Sequence, residues 1–97
     1  MITESIKEKE IYRIIGSKIK VGRKSSRKKI TTISKKLNLS SEYLSWIEDG
    51  ETQNFPNYTP VNAFIKSYAK FLNVDISAEF KDLESLDIQK IEQSSKF

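Results

Sequence analysis

The chain has 97 residues, of which 37% are hydrophobic and 31% are charged, a composition that suits one small globular domain and not a disordered chain. It contains no cysteine and no histidine, which excludes disulfides, thiolate metal sites and the usual zinc sites. Residues 1–72 hold 14 basic and 7 acidic side chains, whereas residues 73–97 hold 3 basic and 6 acidic ones. This asymmetry indicates an acidic or polyanionic partner, or a tail that folds back onto the basic part.

A first helix is predicted from about Ile6 to Ser25. Its apolar residues recur at helical spacing: Ile11, Ile14, Ile15 and Ile19. The polar run RKSSRKK follows as a turn. A second, short helix carries Ile30, Ile33 and Leu37 and should end at Asn38, a residue type that tolerates left-handed backbone.

The third helix should begin at Ser40, whose hydroxyl can accept a hydrogen bond from a free backbone N–H. Leu39 and Leu44 have the spacing of a hydrophobic staple around that cap. Gly50 stands where this helix should end.

A loop, ETQNFPNY, separates the third helix from a fourth that is predicted from Pro60 to Leu72, with Thr59 as the capping residue. A last short helix should start after Asp75 or Ser77. It would bury Ile76, Phe80 and Leu83. Beyond Leu86 the sequence turns polar, so we expect a domain over residues 1–86 and a frayed tail over residues 87–97. The predicted fold class is all-α, a compact five-helix domain.

Residues 15–50 resemble the Cro/repressor-type helix-turn-helix of bacterial regulators. The small residue Ser34, the turn before Leu39 and the ending IEDG at residues 47–50 are all in register with that pattern.

The next segment, residues 55–75, reads FPNYTPVNAFIKSYAKFLNVD and resembles the RodZ cell-shape protein family. The matching residues are Phe64, Ser67, Tyr68, Ala69, Phe71, Leu72 and Asp75. The sequence departs from the family at Pro60, where Tyr is common, and at Ala63, which replaces the usual Gly. It also has no stretch near the roughly 18 apolar residues of a membrane span, although family members usually continue into one.

The RodZ resemblance implies a cytoplasmic adaptor domain that binds the actin-like filament protein MreB, with a filament-contacting aromatic pair that maps onto Phe64 and Tyr68. The periodicity of helix four places Phe64, Tyr68 and Phe71 at one margin, flanked by Lys66 and Lys70. Aromatic anchors with a basic rim form a plausible docking surface. From periodicity alone, packing under the last helix is an equally good interpretation.

DNA binding is the alternative function. Base-reading positions of the third helix would be Ser41, Glu42, Ser45 and Trp46. None is a strong purine reader, and Glu42 is also explained as a partner of the helix dipole. Trp46 could contact a partner or pack against Phe55, and the sequence does not decide between them.

The case for DNA lies in KIKVGRKSSRKK, residues 18–29, which holds seven basic side chains and no acid. Arg27, Lys28 and Lys29 are its candidate phosphate contacts. Solvated surface is the alternative there, and Arg23 could instead form a buried ion pair with Glu48. With no catalytic constellation, we expect a monomeric, non-enzymatic, cytoplasmic adaptor without cofactor or metal, and at most weak nucleic-acid binding.

Overall fold

The protein is described by a computed structural model that covers the backbone of residues 2–95 and the side chains of residues 7–86. Five α-helices follow one another, separated by short turns and, before the fourth, by a loop with one 3₁₀ turn at Thr52–Asn54. They are α1 (Ile2–Ser25), α2 (Ile30–Leu37), α3 (Ser41–Asp49), α4 (Val61–Leu72) and α5 (Ser77–Ser95). Residues 2–95 contain no strand, so the predicted all-α, five-helix fold is confirmed.

The core lies where α1, α3 and α4 meet, with α2 closing one side. The largest fully buried side chains are Tyr68, Ile15, Ile19, Ile33, Leu44, Ile47 and Ile65. Burying an aliphatic side chain of this size stabilises a fold by about 1.5–3 kcal/mol. The helical spacing of these residues therefore accounts for the way in which four helices pack into one core.

α1 and α3 approach each other closely at Gly16. A Cβ atom on Gly16 would lie 2.3 Å from the carbonyl oxygen of Ile47 and 2.6 Å from that of Glu48. Both atoms belong to the backbone of α3, so no side-chain movement could make room. Gly16 therefore fixes the position of α3 against the rest of the domain.

α5 runs antiparallel to α1 and is longer than expected. Lys18 Nζ lies 3.0 Å from Glu79 Oε2. One turn earlier in α1 and one turn later in α5, Ile14 and Asp82 line a common groove. The prediction of a short last helix is wrong, because the helix continues to Ser95. Residues 74–97 contain neither Gly nor Pro, so no residue of the helix-breaking types interrupts it. The side chains of the predicted tail, residues 87–97, lie outside the described residues.

The starts of α3 and α4 differ from each other. Ser40 caps α3 as predicted, since its Oγ accepts a hydrogen bond from the backbone N of Glu42 at 3.1 Å. The capping role predicted for Thr59 is wrong. Its Oγ1 donates instead to the carbonyl oxygen of Pro56 at 2.7 Å, and α4 begins without a side-chain cap.

Candidate functional site

The helix-turn-helix consists of α2, a three-residue turn and α3. Asn38 ends α2 with a φ of 56°, the left-handed conformation predicted for it. The carbonyl oxygen of Ser34 accepts a hydrogen bond from the backbone N of Leu39 at 3.1 Å. The hydroxyl of Ser34 donates a second hydrogen bond to the carbonyl oxygen of Leu39. A small hydroxyl residue at this position thus holds both sides of the turn and sets the angle of α3.

α3 is attached to α1 and α4 by a buried polar cluster that is built around Glu48, only 6% exposed. Arg23 of α1 donates from Nε to Glu48 Oε2 at 2.6 Å and from Nη2 to Glu48 Oε1 at 3.1 Å. The hydroxyl of Tyr68 in α4 donates to the same Oε2 at 2.5 Å. The ion pair expected between Arg23 and Glu48 is therefore confirmed, and Glu48 serves the fold.

The electrostatics of this cluster favour one protonation state for Arg23 and for Tyr68. Hydrogen bonding to Glu48 raises the pKa of Arg23 above its ordinary value. Burial, followed by the hydrogen bond to Glu48, raises the pKa of Tyr68 well above its ordinary value. Tyr68 is consequently a neutral donor and Arg23 a permanent cation at physiological pH.

The prediction that Tyr68 lies on an exposed aromatic margin is wrong. Its side chain is 0% exposed, because the hydroxyl finds a charged acceptor on α3 and the ring joins the core. A surface partner cannot reach Tyr68 in this structure.

The two phenylalanines of the predicted margin lie in different surroundings. Phe64, near the start of α4, stacks on Tyr43 of α3 with 6.1 Å between ring centroids. Phe71, near the end of α4, lies under the ammonium group of Lys28, which is 4.8 Å from the ring centroid. The margin is therefore not one surface. Phe64 belongs with α3, and Phe71 belongs with the turn between α1 and α2.

Lys66 and Lys70 are exposed, but they do not form a rim around Phe64. Both line a groove between α4 and α5, together with Phe80 and Lys81. The ammonium group of Lys66 lies 4.8 Å from the centroid of the Phe80 ring. This groove is a separate feature from the aromatic surface on α3.

Four aromatic rings from three segments form one contiguous group, which we call the aromatic cluster: Tyr43, Trp46, Phe55 and Phe64. Tyr43 is central, with ring centroids 4.9 Å from Phe55 and 5.5 Å from Trp46. Phe55 is buried, whereas the other three are partly exposed. Trp46 packs edge-on against Phe55 at 5.2 Å, so the packing interpretation of Trp46 holds, while part of its surface remains open.

Sequence reasoning missed the cluster as a unit. Tyr43 and Trp46 are three residues apart on α3 and therefore share a face, which is a usable signal. The contributions of Phe55 and Phe64 depend on how the loop folds back, and no local pattern indicates that.

The base-reading positions carry little chemistry for DNA. Ser41 and Ser45 are partly buried, Glu42 is exposed, and Trp46 is held by its ring contacts. Residues 37–65 contain no Lys or Arg and four carboxylates, of which Glu48 alone is buried. This side of the domain is thus aromatic and negatively charged.

A positively charged segment, which we call the basic turn, joins the end of α1 to α2 and consists of Lys24, Arg27, Lys28 and Lys29. All four side chains are exposed, and Lys35 and Lys36 continue the positive surface along α2. Two cations of residues 18–29 serve the fold, since Arg23 pairs with Glu48 and Lys18 with Glu79. The basic turn can therefore contact polyanions, but Lys18 and Arg23 are not available for such contacts.

Comparison with protein families gives the class of this protein. Residues 19–78 match a family model described as a helix-turn-helix domain, and the match covers more than half of the chain. The chain therefore belongs to the helix-turn-helix domain family. Neither the curated proteins nor the solved structures gave a match. No helix in the described part of the chain has the length and apolar character needed to cross a membrane.

Proposed function

We propose that this helix-turn-helix domain is a RodZ-like adaptor that docks the actin-like filament protein MreB. The observation that carries the proposal is the surface of α3 and the loop after it, where a DNA reader would have cations. Here the surface has no Lys or Arg and presents the aromatic cluster instead.

Electrostatics oppose the entry of α3 into a DNA groove. A duplex carries one negative charge for about every 1.7 Å of its axis. Glu42 and Asp49 are exposed on α3, and the half-buried Glu51 follows after Gly50. With no cation between residues 37 and 65 to offset them, these carboxylates repel phosphates wherever α3 approaches the duplex.

The same surface suits a protein partner. Binding energy at protein interfaces is concentrated in aromatic side chains that sit in well-packed surroundings. Tyr43, Trp46 and Phe64 are partly exposed, and each is held by ring contacts. They would lose little conformational entropy on binding, which favours affinity.

The RodZ resemblance supports the identity of the partner through Phe64, which occupies a filament-contacting position of that family and lies in the aromatic cluster. Tyr68, the other such position, is buried and so has no part in the proposed contact. Trp46 and Tyr43 complete the contact surface.

Co-sedimentation with polymerised MreB tests the proposal. Phe64→Leu and Trp46→Leu keep an apolar side chain while removing the rings, and we expect each to weaken pelleting at least tenfold. Phe71→Leu is the matched control, because Phe71 lies on the same helix but beside the basic turn. Thermal melting shows whether each variant is folded. The proposal fails if the wild-type domain does not pellet with filaments, or if Phe71→Leu alone weakens pelleting.

A second candidate function, weak DNA binding, is favoured by the exposed cations of the basic turn. Contacts of this kind go to phosphates and carry no sequence information. If about four such contacts form, affinity should fall roughly a hundredfold between ~50 and ~200 mM salt. Fluorescence anisotropy with random-sequence duplex DNA measures that fall.

A further inference from the structure

The loop that joins the 3₁₀ turn to α4 displays one aromatic ring entirely in solvent. Tyr58 is 102% exposed, the highest value among the large hydrophobic side chains that the described residues expose. It lies in a tight turn over residues 56–59, closed by a hydrogen bond of 3.2 Å from the backbone N of Thr59 to the carbonyl oxygen of Pro56. Neither burial nor packing explains an aromatic residue there.

The backbone of Tyr58 is strained. Its φ is 73°, a left-handed conformation that glycine adopts freely and that asparagine tolerates. Two of the other positive-φ residues, Asn38 and Asn73, are of the tolerant type. For a bulky aromatic residue the conformation is unusual, and no hydrogen bond or ring contact of Tyr58 within the described residues offsets it. A positive φ at the third residue of a turn is usually supplied by glycine or asparagine, so a tyrosine that carries this strain points to a role outside the fold.

The turn holds Tyr58 in a defined place. Pro56 and Pro60 restrict the backbone on either side. The hydroxyl of Thr59 donates to the carbonyl oxygen of Pro56 at 2.7 Å, and the backbone N of Val61 donates to the carbonyl oxygen of Thr59 at 2.8 Å. The ring therefore projects from a preorganised loop, which lowers the entropy lost on binding.

In the sequence, Tyr58 lies between two residues of the aromatic cluster. Phe55 precedes it by three residues, so their Cα atoms are at most about 11 Å apart. On the other side, Phe64 lies in the first turns of α4. The exposed ring and the aromatic cluster can accordingly contact the same partner.

We propose that Tyr58 is an anchor side chain that inserts into an apolar pocket on the protein partner. This inference rests on the proposed function, because it takes the partner of the aromatic cluster to be a protein. The pocket has the size of one ring, with a polar group that hydrogen-bonds the phenol, as buried tyrosines require. Its rim is basic, since α3 and the loop after it carry Glu42, Asp49 and Glu51, and residues 37–65 have no cation.

The deciding variant is Tyr58→Gly, because an anchor role and a structural role predict opposite results for it. Glycine relieves the strained φ, so we expect the melting temperature to rise by about 4–8 °C. Loss of the anchor should at the same time weaken co-sedimentation with MreB filaments at least tenfold. A more stable domain that binds less well is the signature of a residue kept for binding.

Two further variants serve as controls. Tyr58→Phe keeps the ring and the strain but leaves the polar group of the pocket unpaired, so it should weaken binding less than Tyr58→Gly does and leave the melting temperature nearly unchanged. Arg27→Gly relieves a second left-handed residue, φ 57°, in the basic turn, and should leave pelleting unchanged. Wild-type pelleting with equal pelleting of Tyr58→Gly would overturn the inference alone. Absence of wild-type pelleting would overturn the proposed function and this inference with it.

Discussion

The basic turn and α3 have surfaces of opposite charge, although both are attached to the same core. The basic turn before α2 exposes four cations, whereas α3 and the loop after it expose carboxylates and the aromatic cluster. A DNA-reading member of this class needs positive charge at both places, because phosphates flank the groove in which α3 would lie. The difference supports the proposal that α3 contacts a protein and not the bases of DNA.

The acidic residues of α3 have two different roles within a single helix. Glu48 is buried and binds Arg23 and Tyr68, so its charge serves packing. Glu42 and Asp49 are exposed on the same helix, and their charges determine which partner can approach. A count of carboxylates does not separate these roles, but their burial does.

The largest expected effect comes from removing the buried acid. Glu48→Ala leaves Arg23 and Tyr68 without their acceptor and should reduce the free energy of unfolding by about 3–5 kcal/mol. Glu42→Ala, on the exposed side of α3, should change it by no more than about 0.5 kcal/mol. Urea denaturation of both variants measures the difference. Equal, small losses would contradict the structural role of Glu48.

A second substitution tests how firmly α3 is held against α1. Gly16→Ala places a methyl group against the backbone of Ile47 and should cost about 1–3 kcal/mol of unfolding free energy. In Gly22→Ala the new methyl group meets only a side-chain atom, Val74 Cγ2 at 2.5 Å, so a smaller loss is expected. Thermal melting compares the two. A larger loss for Gly22→Ala would show that α3 is not positioned by this approach.

The basic turn can be changed without altering the aromatic side. Lys28→Glu combined with Lys29→Glu should weaken duplex DNA binding at least tenfold at ~50 mM salt and reduce the slope of the salt dependence by about 2. Filament pelleting should change less than twofold. Anisotropy and co-sedimentation in the same buffer measure both, and parallel loss of the two activities would show that the surfaces are not separate.

The smallest predicted effect concerns pH and lies away from both surfaces. Hydrogen bonds from the hydroxyl and backbone N of Ser77 hold the pKa of Asp75 below its ordinary value. A depressed pKa in the folded state stabilises the fold above the ordinary aspartate pKa of about 4, and that contribution is lost as the pH falls through the folded value. Asp75→Asn should therefore flatten the acid limb of a melting-temperature profile. An unchanged limb would show that the hydrogen bonds from Ser77 to Asp75 do not stabilise the fold.

Much of the scaffold could be predicted because its signals are local. Ser40, Asn38 and Gly50 mark helix ends by residue type, and each stands at the expected cap. The pairing of Arg23 with Glu48 is one of the alternatives that the sequence offers, and the structure confirms it.

The surface could not be predicted equally well because it depends on contacts between segments. Tyr68 lies at the edge of the apolar stripe of α4, and only the position of Glu48 on another helix decides that it is buried. The Thr59 hydroxyl is used by the loop turn, so α4 starts without it. Tyr58 gives no periodic signal, and its importance rests on exposure and backbone conformation together.

We propose that α3 and the following loop, and not the basic turn, form the functional surface. Amide hydrogen exchange of the domain, alone and bound to MreB filaments, tests this most directly. We expect slower exchange over residues 41–64 on filament binding and no change over residues 23–36. Slower exchange over residues 23–36, with residues 41–64 unaffected, would contradict it and identify the basic turn as the surface that matters.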